Sequence, residues 1–551
     1  MNNIKQLLFS LTVTALIFSG CGTIVEDSDK TDRIIIDDDS NPKYSQNQEG
    51  LIIYAQDLSP SSYKLEQLDN NDFNKLNNEQ KLQIADKLLS TLFFGYPLKT
   101  LEDKIDSGNF ITDIQSSLKS VKNDTVELEN YISNKEKFDT RSGVTKILTR
   151  FYAMKELDSL FLKNWTAYIL SQTIMFSPAV ELDSAQEPNI DRVYNRLVKS
   201  LAEENTMQYM TYIHMMSDDN WRRFRSPEDN GREMLEIFLL DMDDTHVPIA
   251  AKALQNWRLD KASYTLVVGL DDNAKPLELF GTTIYNGEDF YRELAKSDQF
   301  TKGATTRLVD FFFTDTDADK KGEIIDSIVS STPKTWQDIL IQIIFSKEYL
   351  INTSRAKSAE EAFFSLTKKM DYKHRSSTFY NLKNALNLMN QASMKYKLGK
   401  LNRVPLDTLS FAYYHKFIRD SMLRDRSNPE YLDDYTTWRR DGWSDSFIDY
   451  KNFNYDTNNA IASLNSLIDF IFKTTISRAP TTEELLLFQE HMIRDSNGKK
   501  VFHYAFDMFR TYEDDAQKQK ETRASYKANI AILILDYISR LDTIYMQERV
   551  K

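Results

Sequence analysis

Apolar side chains recur along most of this chain at the i, i+3, i+4, i+7 spacing that gathers them on one side of a helix. Leu82, Ala85, Leu89, Leu92 and Phe93 form one such stripe, which stops at Gly95-Tyr96-Pro97, a helix-ending combination. Ala250, Ala253, Leu254 and Trp257 form another. Leu464, Leu467, Ile468, Ile471 and Phe472 repeat it, as do Ile530, Ile534, Tyr537, Ile538 and Leu541. Ser226-Pro227-Glu228-Asp229 supplies a start signal: a capping hydroxyl, a first-turn proline and a carboxylate three residues on. One stretch breaks the pattern. Tyr264 to Val268 and Leu277 to Tyr285 have strand-like composition around Asp271-Asp272-Asn273, which predicts a β-hairpin between helices. The fold class is therefore mainly α: a multi-helix globular body with one small inserted β-hairpin.

The same pattern marks divisions of the chain. Leu7 to Phe18 is apolar but too short to span a bilayer as an ordinary helix; Lys5 precedes it and Ser19-Gly20-Cys21 follows. This arrangement resembles the lipobox of bacterial lipoproteins, with Phe18 in place of the usual leucine. The resemblance implies that residues 1–20 are a signal peptide and that Cys21 is lipidated, palmitate included, and becomes the new N-terminus. Gly22 in place of aspartate favours the outer membrane, by resemblance to lipoprotein sorting in enteric bacteria. Residues 21–50, polar around Asp37-Asp38-Asp39, cannot bury enough surface to offset chain entropy and read as a flexible acidic tether. A helical body over 51–370 and a C-terminal helical region over 371–551 complete the organisation. Ala528 to Ile538, interrupted by Asn529 and Asp536, reads as a core helix and not a membrane span.

Composition narrows the function classes. A net charge of −13 over 551 residues argues against nucleic acid as a partner, since phosphate binding needs clustered cations. The 15 glycines and 12 prolines are too few for the many tight turns of a sandwich or barrel. Cys21 is the sole cysteine, so once it is lipidated no thiol remains for a disulfide, a thiolate metal site or a nucleophile.

An internal echo is legible. Ser354-Arg-Ala-Lys-Ser-Ala-Glu-Glu361 recurs as Ser477-Arg-Ala-Pro-Thr-Thr-Glu-Glu484, each between an apolar helix and the next one. Leu98-Lys-Thr-Leu-Glu-Asp103 is a looser third case. In each, Ser358, Thr481 or Thr100 is placed to cap while Glu361, Glu484 or Asp103 reaches back. The lack of a fixed period excludes a solenoid.

Candidate chemistry is sparse. The six histidines, His214, His246, His374, His415, His491 and His503, include no pair spaced to bind one metal from a single helix. Asp315-Thr-Asp-Ala-Asp319 imitates the start of a calcium loop, but Lys320 occupies the sixth position, where the turn demands glycine. A polar loop is the better reading, and no resident metal or cofactor is expected. The richest segment runs from Asn230 to Leu240 and on through Asp241, Asp243, Asp244 and His246. Helical spacing puts Glu233 and Glu236 on one face, with Arg232 beside them. As chemistry, this is an oxygen-rich divalent-metal site or an acid/base cluster. As structure, Arg232 pairs with a neighbouring carboxylate, Asp243 or Thr245 caps the next helix, and His246 is solvated. Trp165, Trp221, Trp257, Trp336, Trp438 and Trp443 either line a glycan- or peptide-binding groove or fill the core.

The middle of the chain resembles the bacterial family called domain of unknown function 1800. Asn230-Gly-Arg-Glu-Met-Leu-Glu-Ile-Phe238, Ala250-Ala-Lys-Ala-Leu-Gln-Asn-Trp257, Leu270-Asp-Asp-Asn-Ala-Lys275 and Gly303-Ala-Thr-Thr-Arg307 follow that family's order and spacing over about residues 205–365. Leu270 stands where the family has a histidine. The resemblance implies an exported, largely helical protein without an agreed activity, and marks Asn230, Arg232, Glu233, Glu236, Trp257, Asp271 and Lys275 as positions to test. The expected role is a non-catalytic binding or scaffold lipoprotein of the cell envelope, with a protein or glycan partner. The alternative is an exported hydrolase, metal-assisted or not, using Arg232, Glu233, Glu236, Asp243 and His246.

Overall fold

The computed structural model describes residues 63–121, 143–175, 190–260, 265–269, 272–370, 459–491 and 528–550, with a few positions between 382 and 454. The signal peptide, Cys21, the acidic tether, Asp271, Trp438 and Trp443 lie outside the described residues.

The described chain opens with α1 (Asn70–Asn74), α2 (Asn78–Thr91), α3 (Leu98–Asp106), α4 (Phe110–Lys119) and α5 (Gly143–Ala153). Asn77 and Gln80 close α2 with reciprocal side-chain caps, which fixes where the first apolar stripe begins. All five stripe residues are buried. The helix stops at Thr91, and Phe93 takes a left-handed φ of 55°. Gly95 is needed for a different reason from the predicted helix end: a Cβ there would sit 2.7 Å from the Ser365 carbonyl oxygen. Next come α6 (Ser159–Thr173) and α7 (Ile190–Ala202), packed as a pair.

The family-like region follows as α8 (Met207–Met215), α9 (Asp218–Arg223), α10 (Pro227–Met234) and α11 (Val247–Ala253). Ser226 accepts from the Asp229 amide at the start of α10, as its sequence signal requires. A wider π turn, Leu235–Leu239, extends α10 and ends at Leu240 in the left-handed region. The strand-like region holds two hairpins. One pairs β1 (Arg258–Leu259) with β2 (Leu266–Val267), the other β3 (Leu277–Leu279) with β4 (Thr282–Ile284). The run read as one strand from Leu277 to Tyr285 turns back on itself at Phe280 and Gly281, whose φ values are 52° and 78°. Positive φ at both central residues is the type I′ arrangement, whose twist matches that of the flanking strands.

Beyond the hairpins lie α12 (Gly287–Lys296), α13 (Asp298–Phe312), α14 (Ala318–Ser330), α15 (Trp336–Ile344) and a π turn, Glu348–Asn352. Then come β5 (Arg355–Ala356), α16 (Ala359–Lys369), α17 (Ala460–Ile476), α18 (Thr482–His491), α19 (Ala528–Ile538) and β6 (Met546–Gln547). The chain is mainly helical, with three small two-stranded sheets among the described residues. β6 returns across the fold to pair antiparallel with β5, and α17 packs on α16, so the described C-terminal elements share the core of the body. No described helix is long and apolar enough to cross a membrane. The calcium-loop imitation is dismantled: Asp317 caps α14 by accepting from the Lys320 amide, and Asp315 meets Arg549 at 3.1 Å.

Candidate functional site

The segment 230–246 wraps from α10 to α11, and its residues part company. Asn230 is fully buried; its side-chain oxygen accepts from the Tyr291 hydroxyl at 2.5 Å. Trp257 is buried between the rings of Trp221, 5.9 Å away, and Tyr291, 5.4 Å away. Gly231 lets α10 approach α11 so closely that a Cβ would lie 2.5 Å from that of Ala250. Asn230, Gly231 and Trp257 of the family-like motif therefore hold helices together. Trp165, Trp221, Trp257 and Trp336 are all core, which overturns the groove reading for these four.

The charged residues divide by depth. Arg232 is half exposed and pairs with Asp244 across the turn and with Glu228 at 3.6 Å. Glu233 is buried, whereas Glu236 is half-buried and its carbonyl accepts from the Arg307 guanidinium at 2.9 Å. A π turn starts between Glu233 and Glu236, and the two side chains differ in depth. Asp241 receives the Asp243 amide on one oxygen, at 3.0 Å, and His246 Nδ1 on the other, at 2.7 Å. Asp243 caps the next turn by accepting from the Thr245 amide; the Thr245 side chain, then that amide, hold its carboxyl below the usual range. His246 meets the Phe280 ring edge-on, with centroids 4.9 Å apart, and Met242 is exposed. Lys275 is exposed, and its neighbour Asp272 accepts from the Asn286 side chain at 3.0 Å.

These contacts favour the structural reading: Asp244 is the neighbouring carboxylate that pairs with Arg232, and His246, expected to be solvated, is half-buried and bonded to Asp241. Among the described residues, no three His, Cys, Asp or Glu side chains are placed to share a metal ion. Nearby His214 is buried on α8, where burial, then the Arg196 charge, push it down to about 3 from 6.5. Unfolding lets His214 bind a proton that the folded state refuses. Its contribution therefore favours the fold above about pH 6.5 and is lost as pH falls toward 3. A His214→Asn variant is expected to flatten the acid limb of a urea-stability profile over that window.

Among the described residues a larger cluster of buried charge lies elsewhere, where α2, β5, α16 and β6 meet. Arg355 and Glu361, 1% and 3% exposed, form a two-pronged pair, while Ser358 and Glu361 exchange capping bonds. Arg478 and Glu484 repeat the arrangement at the echoed sequence, both prongs at 2.8 Å, with Thr481 as the cap. The echo is thus more than capping: the arginine lies six residues before its glutamate in both copies. The third case fails, because α3 begins at Leu98 with no side-chain cap and Thr100 lies inside its first turn. Beside Arg355, the Tyr349 hydroxyl meets Thr91 at 2.7 Å and the Gln547 side chain at 2.8 Å. Burial pushes Asp86 up, but the Lys369 and Lys357 ammoniums outweigh it and hold the carboxyl below its usual range. Burial, reinforced by Arg355, pushes the Lys87 amine down to about 7. The sequence signal for this cluster is the Arg/Glu spacing within the echo; nothing local points to Lys87.

Comparison with protein families, with curated proteins and with solved structures finds no match to this chain.

Proposed function

We propose that this protein is a lipid-anchored envelope lipoprotein, tethered through Cys21, whose helical body binds or scaffolds a protein or glycan partner without catalysing a reaction. One observation carries the non-catalytic part: Asp241, Asp243 and Asp244, three of the carboxylates in the candidate segment, are each engaged in closing the turn between α10 and α11. A catalytic carboxylate is instead expected to face a cleft that admits a substrate. The anchor rests on the sequence around Cys21, and the family reading on residues 205–365. The presented surface would be the Arg232, Met242, His246 and Phe280 face.

Intact mass spectrometry of the native chain is expected to show cleavage before Cys21 and added acyl mass. An unprocessed N-terminus would remove the anchor and the outer-membrane placement together. Crosslinking in intact envelopes, followed by detergent pull-down, is expected to recover a partner that is lost with Arg232→Ala and Met242→Ala. Recovery unaffected by both variants would move the binding face elsewhere.

The hydrolase reading keeps one point in favour. Asp241 fixes His246 through Nδ1, the orientation used when a histidine serves as general base. Turnover of ester, phosphate or peptide substrates that disappears with Asp241→Asn would replace the scaffold reading with this one.

A further inference from the structure

Residues 545–550 are held to the body by a dense set of bonds. Met546 and Gln547 pair with Ala356 and Arg355, and the Tyr545 carbonyl accepts from the Lys357 amide at 2.8 Å. The Gln547 side chain donates to Ser90 and Thr91 at 3.1 and 3.0 Å and accepts from the Tyr349 hydroxyl. The Arg549 amide donates to Ser354, its guanidinium meets Asp315, and the Val550 amide donates to the Ile351 carbonyl.

Lys87, 4% exposed, lies on α2 within a turn of Ser90 and Thr91, which hold the Gln547 side chain. Its amine has one hydrogen-bond acceptor, the neutral Thr353 carbonyl, and the Tyr349 ring 5.2 Å away; among the described residues it makes no ion pair. The charged groups facing it are Arg355 on β5, Arg549 on the strand itself and Asp315 after α13. Glu361 is taken up by Arg355, Asp315 by Arg549, and Asp86 on the same helix by Lys357 and Lys369. Among the described residues no carboxylate pairs with Lys87, and the Arg355 guanidinium repels it more than Asp315 attracts it.

We propose that Lys87 is a proton-operated latch for residues 545–550: a charged amine loosens the strand's hold on β5 and α2, and a neutral amine secures it. The closed state binds the Lys87 proton more weakly than an opened state in which water reaches the amine. With a closed-state value near 7 and a free value near 10.5, opening is easiest below pH 7. It is suppressed up to about tenfold per pH unit between those limits. This inference is independent of the proposed anchor and partner.

Hydrogen exchange of the full-length protein, corrected for the intrinsic pH dependence of amide exchange, tests it. The opening constant at Val550 and Lys357 is expected to fall about tenfold from pH 7 to pH 8.5 in the wild type. It is expected to stay flat in Lys87→Met. His415, whose Nε2 lies 3.3 Å from the Ser539 hydroxyl near the strand, is the competing titratable group and is retained in that variant. Lys87→Gln keeps a donor for the Thr353 carbonyl and serves if the methionine variant does not fold. A flat wild-type profile overturns the proposal with no variant needed, and a slope that persists in the variant does so equally.

Discussion

Replacing Glu361 with alanine is expected to lower stability by about 3–5 kcal/mol, because it strands the Arg355 guanidinium in the core. The change also removes the back-reaching half of the capping box at Ser358. The equivalent Glu484→Ala is expected to cost less, roughly 1–2 kcal/mol, since Arg478 is 21% exposed and keeps access to water. Urea denaturation of both variants measures the difference. Equal losses would mean that capping, common to the two joints, dominates over burial of the pair. A double replacement, Arg355→Met with Glu361→Leu, is expected to recover much of the lost stability, because it removes the buried charge instead of orphaning it.

The second large effect comes from two glycines with opposite outcomes. Gly303 on α13 lies against the α10 π turn, where a Cβ would stand 2.2 Å from the Phe238 carbonyl oxygen and 2.9 Å from its carbon. Backbone cannot rotate aside as a side chain can, so Gly303→Ala is expected to cost on the order of 3 kcal/mol. Gly322 lies within α14 with nothing within 4 Å of a Cβ. There, alanine only restricts the unfolded chain and favours the helix, so Gly322→Ala is expected to stabilise by about 0.5–1 kcal/mol. Thermal melts of the two variants should shift in opposite directions. A neutral Gly303→Ala would show that α13 can withdraw from the turn.

Helix existence, type and buried face were legible along the chain because apolar periodicity is a local property. The stripes at 82–93 and 464–472 are buried as their spacing requires, and the Ser226 signal opens α10 where it stands. The hairpin region was legible in kind and wrong in connectivity. Strand propensity marks which residues extend, while the left-handed φ at Phe280 and Gly281 decides where they fold back. Within the candidate site, the charged residues could be named from sequence but not sorted by depth. Glu233 is buried and Glu236 half-buried, on either side of the start of a π turn that no residue type announces.

Local pattern alone decided the helical class, helix starts such as that at Ser226 and the Cys21 anchor expectation, since each depends on neighbours within a few positions. Folding in three dimensions decided which polar side chains went inside. The Lys87 amine meets the Thr353 carbonyl across 266 residues, and the Gln547 side chain meets Ser90 across 457. Burial and charge pairing at such separations depend on which elements pack together, and a linear window of any helical length contains only one side of each contact.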